Sequence, residues 1–243
     1  MLKERIHIVP IGYEIDRIVQ PLIEKKADKV YLITQGPEGD KAKPFLDLIK
    51  KKLEKKNISF IVKEIEIKKL DKQLNLMRKI IFNEEIHQIY INVSSGSKIS
   101  TVAGMMAAMM FKSDKRYVVP YYVEPETYDS VEIAKEYKEN LKPFSMGVEK
   151  IFELPNYKVY LPDEELTKLL IFIYDNKDNI TKKKILTEFM PKISTEVRDY
   201  MKLRRQFLDK LEYEWKLIET QNKKNSQIKL KKNALDLIKF LKD

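Results

Sequence analysis

The chain has 243 residues, 43% of them hydrophobic, and a formal net charge of +10 at pH 7, which is enough apolar material for one large core or two smaller ones. It holds no cysteine and only two histidines, His7 and His87, which excludes disulfides, thiolate metal sites, cysteine nucleophiles and a histidine-rich metal centre within one chain. No apolar leader precedes the first strand, and the longest nearly uncharged run, Ile99 to Phe111, falls short of the roughly 20 residues a membrane span needs; the expectation is a soluble, cytoplasmic protein with no membrane partner.

Apolar strand-like runs alternate with amphipathic helices over the first 125 residues, as in a βαβ array. Arg5 to Pro10 reads as a strand, and Ile15, Ile18, Val19, Leu22 and Ile23 then mark one helix face at spacings of three and four. Val30 to Thr34 is a second strand, followed by a turn at residues 35–40 and a helix through Phe45, Leu48, Ile49 and Leu53. Ser59 to Ile67 is a third strand, placed near an edge by Lys63, Glu64 and Glu66. A third helix carries Leu70, Leu74, Met77 and Ile81. Gln88 to Val93 is the fourth strand. The helix from Ile99 to Phe111 is apolar almost all round and must be covered on more than one side. Its small residues Ala103, Gly104, Ala107 and Ala108 admit close packing, within the subunit or across a dimer. Tyr117 to Val123 is a fifth strand in which Pro120 suggests an edge or a bulge.

Residues 146–162, with Gly147, Pro155 and Pro162, read as the connection between a domain at 1–145 and a second at 163–243. Asp163 caps a helix with Leu166, Leu169, Leu170 and Ile173 on one face. A short helix from Lys182 to Met190 ends at Pro191, and a long one runs from a cap at Ser194 or Thr195 to Glu214 or beyond. Residues 216–220 and 227–230 read as strands around a polar turn, with a closing helix from Asn233 to Leu241. Charge follows this division: 27 Lys/Arg face 22 Asp/Glu from Met1 to Lys150, whereas 15 face 7 from Thr181 to Lys232. A local basic excess attracts phosphate backbones; the lysine runs of the first half read more simply as solvated surface.

The densest chemical signal is Asn92-Val93-Ser94-Ser95-Gly96-Ser97-Lys98, where a strand breaks into a small polar loop before a helix. The hydroxyls of Ser94, Ser95 and Ser97, the backbone freedom of Gly96 and the Lys98 ammonium converge at a helix N-terminus, an arrangement suited to phosphate. Lys98 there opposes the helix dipole unless an anion compensates it. Walker A spacing is missing, because Ile91 stands where a glycine is required and Ser97 separates Gly96 from Lys98. Gly12 stands alone after the first strand, so the dinucleotide fingerprint is missing too. In a mostly parallel sheet the loops after the first and fourth strands can meet at a topological switch point.

This strand–loop–helix motif, the apolar small-residue helix behind it and the domain order together resemble the CARF-domain winged helix-turn-helix transcriptional regulators of archaea, which are associated with CRISPR loci. The resemblance covers nearly the whole chain. It implies a Rossmann-like, mostly parallel α/β sheet followed by a winged helix-turn-helix domain. It also implies a homodimer that binds a cyclic oligoadenylate, commonly cyclic tetra-adenylate, across the two-fold axis, with no other cofactor. The implied ligand-binding residues are Asn92, Ser94, Ser95, Gly96, Ser97 and Lys98, with Gly12, Tyr13 and Glu14 from the first loop. Double-stranded DNA would meet Lys182, Lys183, Arg198, Lys202, Arg204 and Arg205 on helices and Lys223 and Lys224 in the wing. Two other readings compete: a metal-independent ring nuclease that cleaves the oligoadenylate, and a winged-helix regulator that senses another nucleotide. No catalytic or metal-ligating residue is assigned.

Overall fold

A computed structural model describes residues 3–36, 41–128, 143–190, 197–220 and 227–242. The chain divides into two compact units, Met1–Val159 and Tyr160–Asp243.

The first unit is built on a six-stranded sheet in the order β3-β2-β1-β4-β5-β8. Its strands are β1 (Arg5–Pro10), β2 (Lys29–Gln35), β3 (Ser59–Ile65), β4 (Gln88–Asn92), β5 (Tyr117–Glu124) and β8 (Lys150–Glu153). The first five pair in parallel and β8 joins β5 antiparallel, so the fold is Rossmann-like with one reversed edge strand. The connecting helices are α1 (Asp16–Glu24), α2 (Lys43–Lys55), α3 (Leu70–Asn83) and α4 (Lys98–Phe111). Two-residue strands β6 (Thr127–Tyr128) and β7 (Ser145–Met146) form a separate antiparallel ladder.

Alternation along β1 explains both cores. Val9 joins Ile18, Leu22, Phe45 and Ile49 of α1 and α2 in one cluster, while Ile6 and Ile8 point to the opposite face, where Leu74, Met77 and Ala107 are also fully buried. Burying a Leu- or Ile-sized side chain stabilises by about 1.5–3 kcal/mol, so these positions hold the sheet between its helix layers.

Two expectations need correction. Pro120 lies in an inner strand, because β8 continues the sheet beyond β5. It is tolerated because the ladder to β8 begins one residue later, at Tyr121 opposite Glu153. The Pro120 carbonyl accepts from Leu154 N at 2.9 Å. The stretch 146–162, expected as a connection, supplies β8 and part of β7 to the first unit.

The second unit contains α5 (Glu164–Asp175), α6 (Lys182–Lys184, extended by π-type turns over Ile185–Phe189) and α7 (Val197–Leu203, extended by π-type turns over Arg204–Leu208 and Lys210–Glu214). Strands β9 (Ile218–Glu219) and β10 (Lys229–Leu230) pair antiparallel, and α8 (Lys232–Leu241) closes the chain. The Asp163 side chain accepts from Leu166 N at 2.8 Å, the expected N-cap. The wider turns show as bonds from Met190 N to Ile185 O and from Trp215 N to Lys210 O. Leu169, Leu170, Ile173, Leu186, Leu211 and Ile218 form the core, with Trp215 packed against it. The ladder is shorter than the expected strands, and the turn at 221–226 lies outside the described residues.

Candidate functional site

From β1 the chain winds toward β2, and from β4 it winds toward β5, on opposite sides. Their carboxyl ends therefore open a crevice at a topological switch point. The loops that border it, 11–15 and 93–97, touch through glycine. A Cβ on Gly12 would lie 2.8 Å from Gly96 N, and one on Gly96, whose φ is +82°, would lie 2.7 Å from Pro10 Cβ. Neither position admits a side chain without displacing the other loop.

Buried hydrogen bonds fix the loop after β4. Asn92 Nδ2 donates to Arg17 O at 2.9 Å, and Asn92 Oδ1 accepts from Ser94 N at 2.9 Å and from Ser94 Oγ. Ser95 Oγ donates to Pro10 O at 2.7 Å. Ser97 is the N-cap of α4, its Oγ accepting from Ser100 N at 3.1 Å. Thr101 Oγ1 donates back to Val93 O at 3.0 Å.

The sequence-expected residues thus separate into two groups. Asn92, Ser95 and Glu14 are buried and committed to internal bonds, and Tyr13 packs edge-on against Phe45 and Phe144. They build the site and do not line its open face. Gly96 and Lys98 are exposed, with Ser94 and Ser97 half-buried. Among the described residues, the amides of Gly96, Ser97, Lys98 and Ile99 have no hydrogen-bond partner. Four successive unpartnered N–H groups lead into the positive end of α4 beside the exposed Lys98, a combination that suits an anion.

Around the first loop the structure adds residues that the sequence pattern did not single out. Glu14 accepts from Arg17 at 3.3 Å and from Ser145 Oγ. Burial pushes the Glu14 carboxyl above its ordinary pKa, against the opposing pull of Ser145 and Arg17. Arg17 Nε donates to Val123 O at 2.8 Å, and its guanidinium stacks near the rings of Tyr122 and Tyr128. Phe144 N donates to Tyr13 O at 3.1 Å and Gly147 N to Asp16 at 3.2 Å. Deeper in the sheet, burial lowers the His7 pKa to about 3, so its ring is neutral at physiological pH. No group of three or more His, Asp or Glu side chains among the described residues is arranged to hold a metal.

In the second unit Lys183, Lys202, Arg204 and Arg205 are exposed, Arg204 also bonding Asp209 at 3.2 Å. Lys182 is buried, and burial lowers its pKa; it is packed into the unit and not displayed. Arg198 lies in the first turn of α7, with its side chain outside the described residues, as are Lys223 and Lys224 altogether. No helix among the described residues is long and apolar enough to cross a membrane.

The fold and its switch-point loops define a Rossmann-like α/β domain of the kind that takes ligands at strand carboxyl ends. A family described as HFX_2341_N:-like, N-terminal, matches residues 5–128, and the chain belongs to that family. Uncharacterized protein MJ1513 of Methanocaldococcus jannaschii is 36% identical over 185 residues, covering 69% of this chain and 55% of the relative. The chain spans about half the length of the curated relative it matches. Similar solved structures include two with a TM-score of 0.43. Enterococcus italicus Csm6 bound to cyclic hexa-2′-fluoro-hexa-dAMP is 15% identical, covering 88% of this chain and 56% of that one. Can2 from Sulfobacillus thermosulfidooxidans in complex with cyclic tetra-adenylate is 12% identical, covering 97% and 63%.

Proposed function

We propose that this protein is a cytoplasmic, homodimeric regulator of transcription of the CARF type, whose first unit binds a cyclic oligoadenylate, foremost cyclic tetra-adenylate, and whose second unit is a winged helix-turn-helix that binds double-stranded DNA. The observation that carries the ligand reading is the contact of the two switch-point loops at Gly12 and Gly96, which sets the unpartnered amides of 96–99 beside Lys98. A ring of phosphodiesters offers anions at fixed spacing to such donors. The Asn92–Lys98 motif that resembles CARF proteins supports the choice of ligand.

Support for a dimer comes from α4. Ile99 and Val102 are exposed, and Met106 and Met109 half-buried, at the spacing of a single helix stripe that starts beside Lys98. A copy seated on that stripe would bring a second loop up to a two-fold ligand. Support for DNA binding is the basic excess of residues 181–232 and the exposed Lys183, Lys202, Arg204 and Arg205.

Calorimetric titration with cyclic tetra- and hexa-adenylate, with the products followed by chromatography, tests the ligand and the competing ring-nuclease reading together. Replacement of Lys98 by Ala should weaken binding by roughly 1.5–3 kcal/mol, the range for a hydrogen bond to a charged group. Unchanged affinity in that variant would remove the loop from the site. For the second unit, binding to duplex DNA should fall steeply with salt, and no binding at low salt would refute that part of the proposal.

A further inference from the structure

Asn92 ends β4 and is fully buried, yet both polar atoms of its side chain are engaged. Its amide donates to the carbonyl of Arg17, in the first turn of α1, and its oxygen accepts the N–H and hydroxyl of Ser94. Across the β4–β5 ladder Asn92 pairs with Tyr121. One side chain therefore ties the loop after β4 to the helix that follows the loop of Gly12. We infer that Asn92 is a positioning residue: it does not touch the ligand but holds 94–98 in the binding shape before a ligand arrives.

The physical reason is conformational entropy. Ordering a loop residue costs about 1–2 kcal/mol, and a loop already locked in the free protein does not charge that cost against affinity. The task needs one donor and one acceptor on a short planar group at a fully buried position. Asp has no donor when ionised, and Leu, of similar shape, has neither.

The inference rests on the ligand reading above, and the experiment separates the two in the full-length protein. In Asn92→Asp the ionised carboxylate leaves the Arg17 carbonyl without a donor; once protonated, its hydroxyl can donate there again. Relative to wild type, the affinity of Asn92→Asp for cyclic tetra-adenylate should drop about ten-fold or more near neutral pH. It should recover as the pH falls through the raised range of a buried carboxyl. Arg17, which bonds Glu14, supplies the carbonyl that residue 92 meets, and Tyr121, which bonds His7, pairs with residue 92 across the β4–β5 ladder; these groups are the same in both proteins, so the ratio isolates residue 92. A ratio independent of pH overturns the inference.

A second readout needs no ligand. Backbone order parameters from ¹⁵N relaxation should be near 0.85 for Gly96 to Ile99 in the wild type and below about 0.6 in Asn92→Ala. Equal values in a folded variant overturn the inference; should Asn92→Ala fail to fold, the same comparison in Asn92→Asp near neutral pH decides. If the loop loosens but the wild type binds no cyclic tetra-adenylate, Asn92 stands as the positioning residue and the ligand proposal falls.

Discussion

Gly12 and Gly96 meet backbone to backbone, so close that a methyl group on the first would stand 2.8 Å from the amide nitrogen of the second. One residue follows β1 and the other follows β4, 84 positions apart, and their contact sets the width of the crevice at the switch point. Alanine at Gly96 must also bear a φ of +82° and a 2.7 Å approach to Pro10 Cβ. We expect Gly96→Ala to cost about 1–3 kcal/mol of stability and to abolish binding of cyclic tetra-adenylate. Gly36→Ala is the control, since nothing lies within 4 Å of its added methyl. Urea unfolding of both variants checks the difference.

The stripe on α4 offers a second test. Val102 is 46% exposed, so glutamate there can remain hydrated in an isolated subunit and loses its water only if another copy covers it. Val102→Glu should leave the thermal midpoint within a few degrees, since an exposed substitution changes stability by about 0.5 kcal/mol or less. It should convert a dimer to monomer in sedimentation and remove ligand binding with it.

Acid stability should depend on Glu84. Burial works to raise this carboxyl, but hydrogen bonds from Lys29 and Tyr31, both at 2.6 Å, outweigh it, and the pKa lies below the ordinary carboxylate value. A depressed folded-state pKa gives stability that is present above the unfolded value, about 4.3 for glutamate, and lost as pH falls through the folded one. The stability difference between wild type and Glu84→Gln should therefore be full at neutral pH and shrink in acid. Denaturant unfolding at a series of pH values measures it.

If ligand and DNA communicate, linkage requires each to change the other's affinity by the same factor, about 5- to 150-fold where coupling is real. Titration of cyclic tetra-adenylate with and without saturating duplex DNA measures that factor, with Lys98→Ala as the control. Equal ligand affinities with the DNA site occupied would leave a binding domain and a DNA domain with no regulatory link.

Much of the first unit was legible because its strands are unbroken apolar runs and its helices keep clean stripes; β1, α3 and β4 fall where Arg5, Leu70 and Gln88 place them. The strand β8 was hidden because Lys150, Ile151, Phe152 and Glu153 are only four residues, set among prolines and a glycine, and tertiary pairing with β5 decides their state. At the site, the sequence pointed to the loops but not to the division of labour within them. Asn92, Ser95 and Lys98 look alike as polar residues in a motif; only burial separates the side chains that hold the loop from the one that faces out. The Glu14–Arg17 pair and its bond to Ser145 join positions 131 residues apart, and no local pattern announces such a contact.

The six-stranded sheet has two edges, and neither invites another strand. On one side β8 runs for four residues only. On the other, β3 carries Lys63 and an exposed Glu64, with Glu66 just beyond its end. Charges on a long edge strand and the brevity of the opposite one are two ways of stopping a ladder from recruiting neighbours. For a lysine-rich chain this has a practical meaning. Self-association through backbone pairing, the route to fibrils, is disfavoured at both edges of the sheet, and a preparation that clumps should be worsened by replacing Lys63 and Glu64 of β3 with apolar residues.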